Sequence, residues 1–135
     1  AHTARYDKAI APLLATKISD EDATALRDAM KAYASGKPED GDQHRTRITN
    51  PVAAKLATWH RLRSGFGSAA DYRAFLDANP AWPERRLLTQ RYEETLFVGG
   101  GNAAEIRAAF AKGGPDHGAG FAALASTHLA EGKTE

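Results

Sequence analysis

Catalysis needs paired acids and bases, a nucleophile beside a base, or ligands gathered round a metal, so residues able to supply these come first. There are five histidines, His2, His44, His60, His117 and His128. No two stand four apart on one helix and no HExxH motif occurs, so a zinc site would need ligands drawn from distant segments. His128 lies on an apolar helical face and is expected to pack in the core. The adjacent carboxylates Glu93-Glu94 cannot face each other on a helix, where neighbours point about 100° apart. Glu94 is expected to approach Gln90 or Arg91, and the pair reads as a solvated face. Asp20-Glu21-Asp22 lacks the glycine and downstream glutamate of a calcium loop and reads as acid complementing a helix dipole. Gly132-Lys133-Thr134 ends like a phosphate-binding loop, but Thr127 stands where that motif needs its first glycine. Gly99-Gly100-Gly101-Asn102 could cradle an anion, but no strand precedes it, and a helix-ending glycine followed by an N-cap explains it better. Arg61, Arg63, Arg85, Arg86 and Arg91 form the main basic concentration, which could contact an acidic polymer or another domain but reads better as local pairing and solubility. No catalytic, cofactor-binding or metal-ligating residue is therefore assigned, and which residues bind substrate is unassigned.

The elements that would position any site are helical. Alanine is the commonest residue, and the β-branched apolar residues are only Ile10, Ile18, Ile48, Ile106, Val52 and Val98, which favours helix and leaves little for a sheet. A first helix is predicted over Ala4–Ala15, weakened by Pro12. Ser19 with Asp22 resembles a capping box opening a second, with Ala23, Leu26, Met30 and Tyr33 inward and Gly36 at its end. Lys37 to Asn50 is the least readable stretch: a proline-started turn at Pro38, then a short basic helix. Asn50-Pro51 opens a helix with Val52, Leu56, Trp59 and Leu62 on one face, ending at Ser64-Gly65. Ser68 and Asp71 open the next, with Tyr72, Phe75 and Leu76 inward.

That helix ends in a corner, Asn79-Pro80-Ala81-Trp82-Pro83. Asn79 is expected to close it in the left-handed conformation, and Pro80 prevents continuation. Pro83 is expected in the first turn of the following helix, with Trp82 wedged between the two. That helix, Pro83 to Phe97, carries Leu87, Leu88, Tyr92, Leu96 and Phe97. Asn102 with Glu105 opens another, with Ala103, Ile106 and Phe110 inward. A last one, from about Asp116 or Gly118, holds Phe121, Leu124, Ala125, His128 and Leu129.

The 135 residues fit one domain. Lys and Arg number 18 against 17 Asp and Glu, which argues against a nucleic-acid footprint or a polybasic membrane arm. Without cysteine there are no disulfides, thiolate metal sites or Cys nucleophile. No apolar run approaches the ~20 residues of a membrane span. The chain starts at Ala1 without Met and reads as a mature or trimmed segment.

Several segments together resemble the N-terminal superhelical part of soluble lytic murein transglycosylases. They are Val52-Ala53-Ala54-Lys55-Leu56-Ala57-Thr58-Trp59-His60-Arg61-Leu62-Arg63, then Asp71-Tyr72-Arg73-Ala74-Phe75-Leu76, then Asn79-Pro80-Ala81-Trp82-Pro83, then Leu88 with Tyr92-Glu93-Glu94 and Leu96-Phe97. The likeness is strongest from about Asn50 to Phe97. It implies a periplasmic protein acting on peptidoglycan glycan strands, whose lysozyme-like catalytic domain lies C-terminal to the helical part. The catalytic glutamate of that family is typically followed by serine. No Glu-Ser pair occurs here, so no residue inherits the catalytic role.

The expectation is one all-α domain, residues 1–135, of short antiparallel helices stacked as an α-solenoid or superhelix. A compact irregular helical bundle is the architectural alternative. Implied partners are a glycan strand or the enzyme's own catalytic domain, without cofactor, nucleic acid or membrane span. An uncapped solenoid end could also drive self-association. The competing function is a free-standing helical-repeat module that binds proteins.

Overall fold

Seven α-helices and no strand occupy the described residues of the computed structural model, which are Ala11, residues 17–99 and residues 102–132. The helix predicted over Ala4–Ala15 lies outside them, Ala11 apart. The helices are α1 (Asp20–Ala34), α2 (Pro38–Arg45), α3 (Pro51–Arg63), α4 (Ala69–Ala78), α5 (Arg85–Val98), α6 (Ala103–Ala109) and α7 (Gly118–Ala130).

Local chemistry sets most boundaries. Asn50 accepts from the Val52 and Ala53 N–H groups at the start of α3, and Asn102 from Glu105 at the start of α6. Ser68 and Asp71 form a complete capping box on α4. α1 and α3 end alike. Gly36 and Gly65 adopt φ of 75° and 94°, and the next residues, Lys37 and Phe66, donate back to the Ala32 and Arg61 carbonyls. This is the Schellman closure, in which glycine takes the left-handed position at no steric cost. Pro38 sits in the first turn of α2, so the first part of the unreadable stretch, Pro38–Arg45, is one proline-started helix.

The corner departs from expectation. Asn79 has φ −130° and ψ 64°, outside the left-handed region. It closes α4 with its side chain instead, Nδ2 donating to the Phe75 carbonyl at 2.9 Å. Pro83 lies before α5 rather than in its first turn. The left-handed residue is Glu84, at φ 57°, which immediately precedes the helix. Arg85 replaces the expected cap by donating to the Leu76 and Asn79 carbonyls at 2.8 and 3.2 Å.

The core falls into three clusters in chain order. Ala25, Ala29, Tyr33, Ile48, Ala53 and Ala57 join α1 to α3; Leu62, Tyr72, Phe75, Leu76 and Leu88 join α3, α4 and α5; Leu96, Ile106 and Ala123 join α5, α6 and α7. Each substantial helix pairing links neighbours or helices one apart: α1 meets α3, α3 meets α5 and α5 meets α7. Beside Asp22, Tyr33 and Leu62, the buried positions of α1 and α3 are alanines, with Leu26, Met30, Val52, Leu56 and Trp59 only half-buried. Small side chains at the contact let the two axes approach.

α7 is turned relative to expectation. Gly120, Ala123 and Thr127 face inward, while Phe121 and Leu129 are 59% and 67% exposed and Ala125 and His128 are exposed too. The cause is Glu93 on α5, 2% exposed, whose carboxylate accepts the Asp116 and His117 N–H groups at 2.7 Å each. Gly120 lies against that carboxylate, where a Cβ would come within 2.7 Å of Glu93 Cδ. The anchor fixes the rotation of α7, and His128 goes to solvent rather than the core. Phe97, also expected inward, is 50% exposed at the end of α5.

Candidate functional site

Among the described residues a polar–apolar concavity lies between α3 and α4, with Arg45 of α2 at its side. It is an open groove of about 470 Å³. Asp71, Ala74, Phe75 and Ala78 contribute one face of α4, at the i, i+3, i+4, i+7 spacing that lines a helix stripe. Lys55, Thr58, Arg61 and Leu62 contribute the facing stripe of α3. The floor is aliphatic and the rim is mostly cationic.

The rim is held by a polar network beneath it. Asp42 on α2 accepts from the Tyr33 hydroxyl at 2.8 Å and from Arg61 Nε at 2.9 Å, and lies 3.7 Å from Arg45. Arg61 also donates to the Phe66 carbonyl, and Arg45 to the Thr58 hydroxyl at 3.1 Å. Burial works against ionisation of Asp42, but the Tyr33 and Arg61 hydrogen bonds outweigh it and hold the carboxyl below its ordinary range. Burial, and then the bond to Asp42, push the Tyr33 phenol well up. The Ser68 N–H, and then its hydroxyl, hold the Asp71 carboxyl below its ordinary range. A carboxylate held as an anion and already accepting two bonds makes a poor general acid.

Behind its far end lies an aromatic stack. Trp82 meets Phe75 edge-on, at 5.8 Å between centroids and 87°, and Trp59 at 6.4 Å and 65°. Lys55 Nζ lies 5.6 Å from the Trp82 centroid and Arg63 Cζ 5.6 Å from that of Trp59, both within cation–π range. Trp82 is half-buried against the cluster that joins α3, α4 and α5; its ring partners lie on α3 and α4, where the two prolines suggested a wedge between α4 and α5.

The arginine concentration resolves into local pairing. Arg61 pairs with Asp42, Arg63 with Glu84 at 2.7 Å and Arg91 with Glu94 at 3.0 Å, while Arg85 caps α4. Arg86 is exposed. Glu94 takes Gln90 and Arg91 as expected. Glu93 contradicts the solvated reading, because the turn into α7 packs over it. Asp22 corrects another expectation. Ser19 does accept from the Asp22 N–H, but the Asp22 carboxylate does not return to Ser19. It is 3% exposed and accepts from the Thr49 and Asn50 N–H groups at 2.8 Å each and from the Thr49 hydroxyl at 3.0 Å.

Asp22 and Glu93 therefore do one job. Each holds the two backbone N–H groups just ahead of a helix that packs against its own, α3 for Asp22 and α7 for Glu93. Their partners are 23 to 28 residues away, so no spacing within either helix signals the role. Among the described residues His60 stacks on Tyr33 at 6.4 Å, and His117 Nδ1 lies 3.2 Å from Glu93 Oε2. Among the described residues no three His, Asp or Glu are placed to hold a metal, and no helix is long and apolar enough to cross a membrane.

Comparison with protein-family models, with curated proteins and with solved structures finds no match.

Proposed function

We propose that this chain is a non-catalytic α-solenoid scaffold from a periplasmic lytic transglycosylase, presenting a curved surface to a peptidoglycan glycan strand or to the catalytic domain of the same enzyme. What carries the proposal is the run from Asn50 to Phe97. The residues that resemble the transglycosylase superhelix fold as three consecutive helices, α3, α4 and α5, packed round Leu62, Phe75, Leu88 and the half-buried Trp82. Three sequential core clusters, with pairing confined to near neighbours, support a solenoid, in which each unit contacts only the next. The commitment of Asp22, Asp42, Asp71 and Glu93 to structural hydrogen bonds supports a scaffold role. Cosedimentation with purified sacculi tests it: the chain is expected in the pellet, and quantitative recovery in the supernatant counts against a glycan-facing surface.

A second reading, a helical module that binds proteins, draws support from Phe97, Val98, Phe121 and Leu129, which are 50–81% exposed on α5 and α7. Isolated apolar side chains are ordinary on a surface, but four on two packed helices suggest a covered end. Self-association through that end would give a mass that rises with concentration in sedimentation, and a constant monomer mass would remove it.

A further inference from the structure

We infer that the groove between α3 and α4 docks a short acidic segment of a protein, with carboxylates on the rim and aliphatic side chains on the floor. The inference stands on the groove itself and does not depend on the transglycosylase proposal.

Charge comes first. Among the lining residues Arg45, Lys55 and Arg61 are positive and only Asp71 is negative. Asp42 offsets part of this from beneath, through Arg61 and Arg45. Lys55 is exposed and makes no ion pair among the described residues; its ammonium is held over the Trp82 ring. It is a positioned cation with room for an anionic partner. Asp71 keeps its negative charge, since the Ser68 N–H that it accepts at 2.8 Å is neutral; with Asp42 counted, three cations face two carboxylates, and Lys55 carries the positive excess.

Shape and chemistry narrow the occupant. From Asp71 to Ala78 the α4 wall is about 10 Å long at ~1.5 Å per residue. An extended chain covers that with about three residues at ~3.3–3.6 Å each. The aliphatic lining open to a ligand is Ala74 and Ala78, Leu62 behind them being buried, which suits small aliphatic side chains alternating with acids. A sugar strand fits less well. Flat sugar faces pack their C–H bonds on open aromatic rings, and the aromatic in this wall, Phe75, is 7% exposed and meets Trp82 edge-on. The two tryptophans lie behind the wall.

The test is fluorescence anisotropy on the full chain, using a fluorescein-labelled six-residue peptide of alternating glutamate and leucine. A lysine–leucine peptide and soluble peptidoglycan fragments serve as competitors. Saturable binding of the acidic peptide is expected, weakened by added salt. Lys55→Glu should weaken it at least tenfold. Ala74→Trp, which fills the groove at an exposed position without changing charge, should do the same. Circular dichroism confirms that both variants keep their helices. The inference is overturned if no saturable binding occurs, if both variants bind like the parent, if the lysine peptide competes equally, or if peptidoglycan fragments displace the peptide at lower concentration than its unlabelled form.

Discussion

Gly41 carries an unusually sharp test of residue packing. It lies inside α2, where glycine ordinarily costs ~1 kcal/mol relative to alanine. Here a Cβ would come within 2.3 Å of the Tyr33 ring, which is 1% exposed and tied to Asp42. Gly41→Ala should therefore destabilise by about 1–3 kcal/mol, as overpacking does, against the sign that helix propensity gives. Urea unfolding checks it, and a stabilised variant would mean that α1 and α2 do not meet as described. Trp82 gives a second test. A fully buried ring costs ~3–5 kcal/mol on truncation to alanine. Trp82 is half-buried, so Trp82→Ala should cost about 2–3 kcal/mol on the same scale. Among the described residues its indole N–H has no partner, so Trp82→Phe should cost under about 1.5 kcal/mol. Equal losses for both would show that the indole nitrogen matters.

Between elements, the two carboxylate anchors decide how helices register. Glu93→Ala would strand the Asp116 and His117 N–H groups, at about 1–3 kcal/mol for each buried donor left unpaired. Hydrogen exchange should then open α7 while α1 stays protected, and uniform loss across the chain would contradict a local anchor. Acid should act on the same joints. The Thr49 N–H lowers the Asp22 pKa, and burial, then Arg63, lower that of His60. Asp42 is lowered too, its hydrogen bonds outweighing burial. Each group binds a proton less readily folded than unfolded, so stability falls as pH falls. The His60 part is present above ~6.5 and declines below it, and the aspartate part declines below ~3.9. Urea midpoints should drop in these two windows, and His60→Gln should flatten the upper one; an unchanged upper step would contradict it. The sequence announced the helices through Asn50-Pro51, Ser68 with Asp71, Ser64-Gly65 and Asn102. It could not announce the anchors, whose donors come from another part of the chain. That is why α7 was read with Phe121 and His128 inward. The corner was legible as a stop, but Arg85 and the Asn79 side chain close it where backbone geometry was expected to.

Over the whole molecule, the all-helical class followed from alanine content and scarce β-branched residues. The division of the core into three clusters did not, because no textual period marks it. A chain built this way should loosen unit by unit. The α3–α4 groove was also hidden, since its cations come from α2 and α3 and its floor from α4. The central claim is that these helices support chemistry done elsewhere. Its most direct test is to incubate the purified chain with sacculi and follow soluble muropeptides by mass spectrometry. The account predicts no 1,6-anhydro products above the protein-free control at any time. Their time-dependent appearance, from a chain without contaminating enzyme, would contradict it.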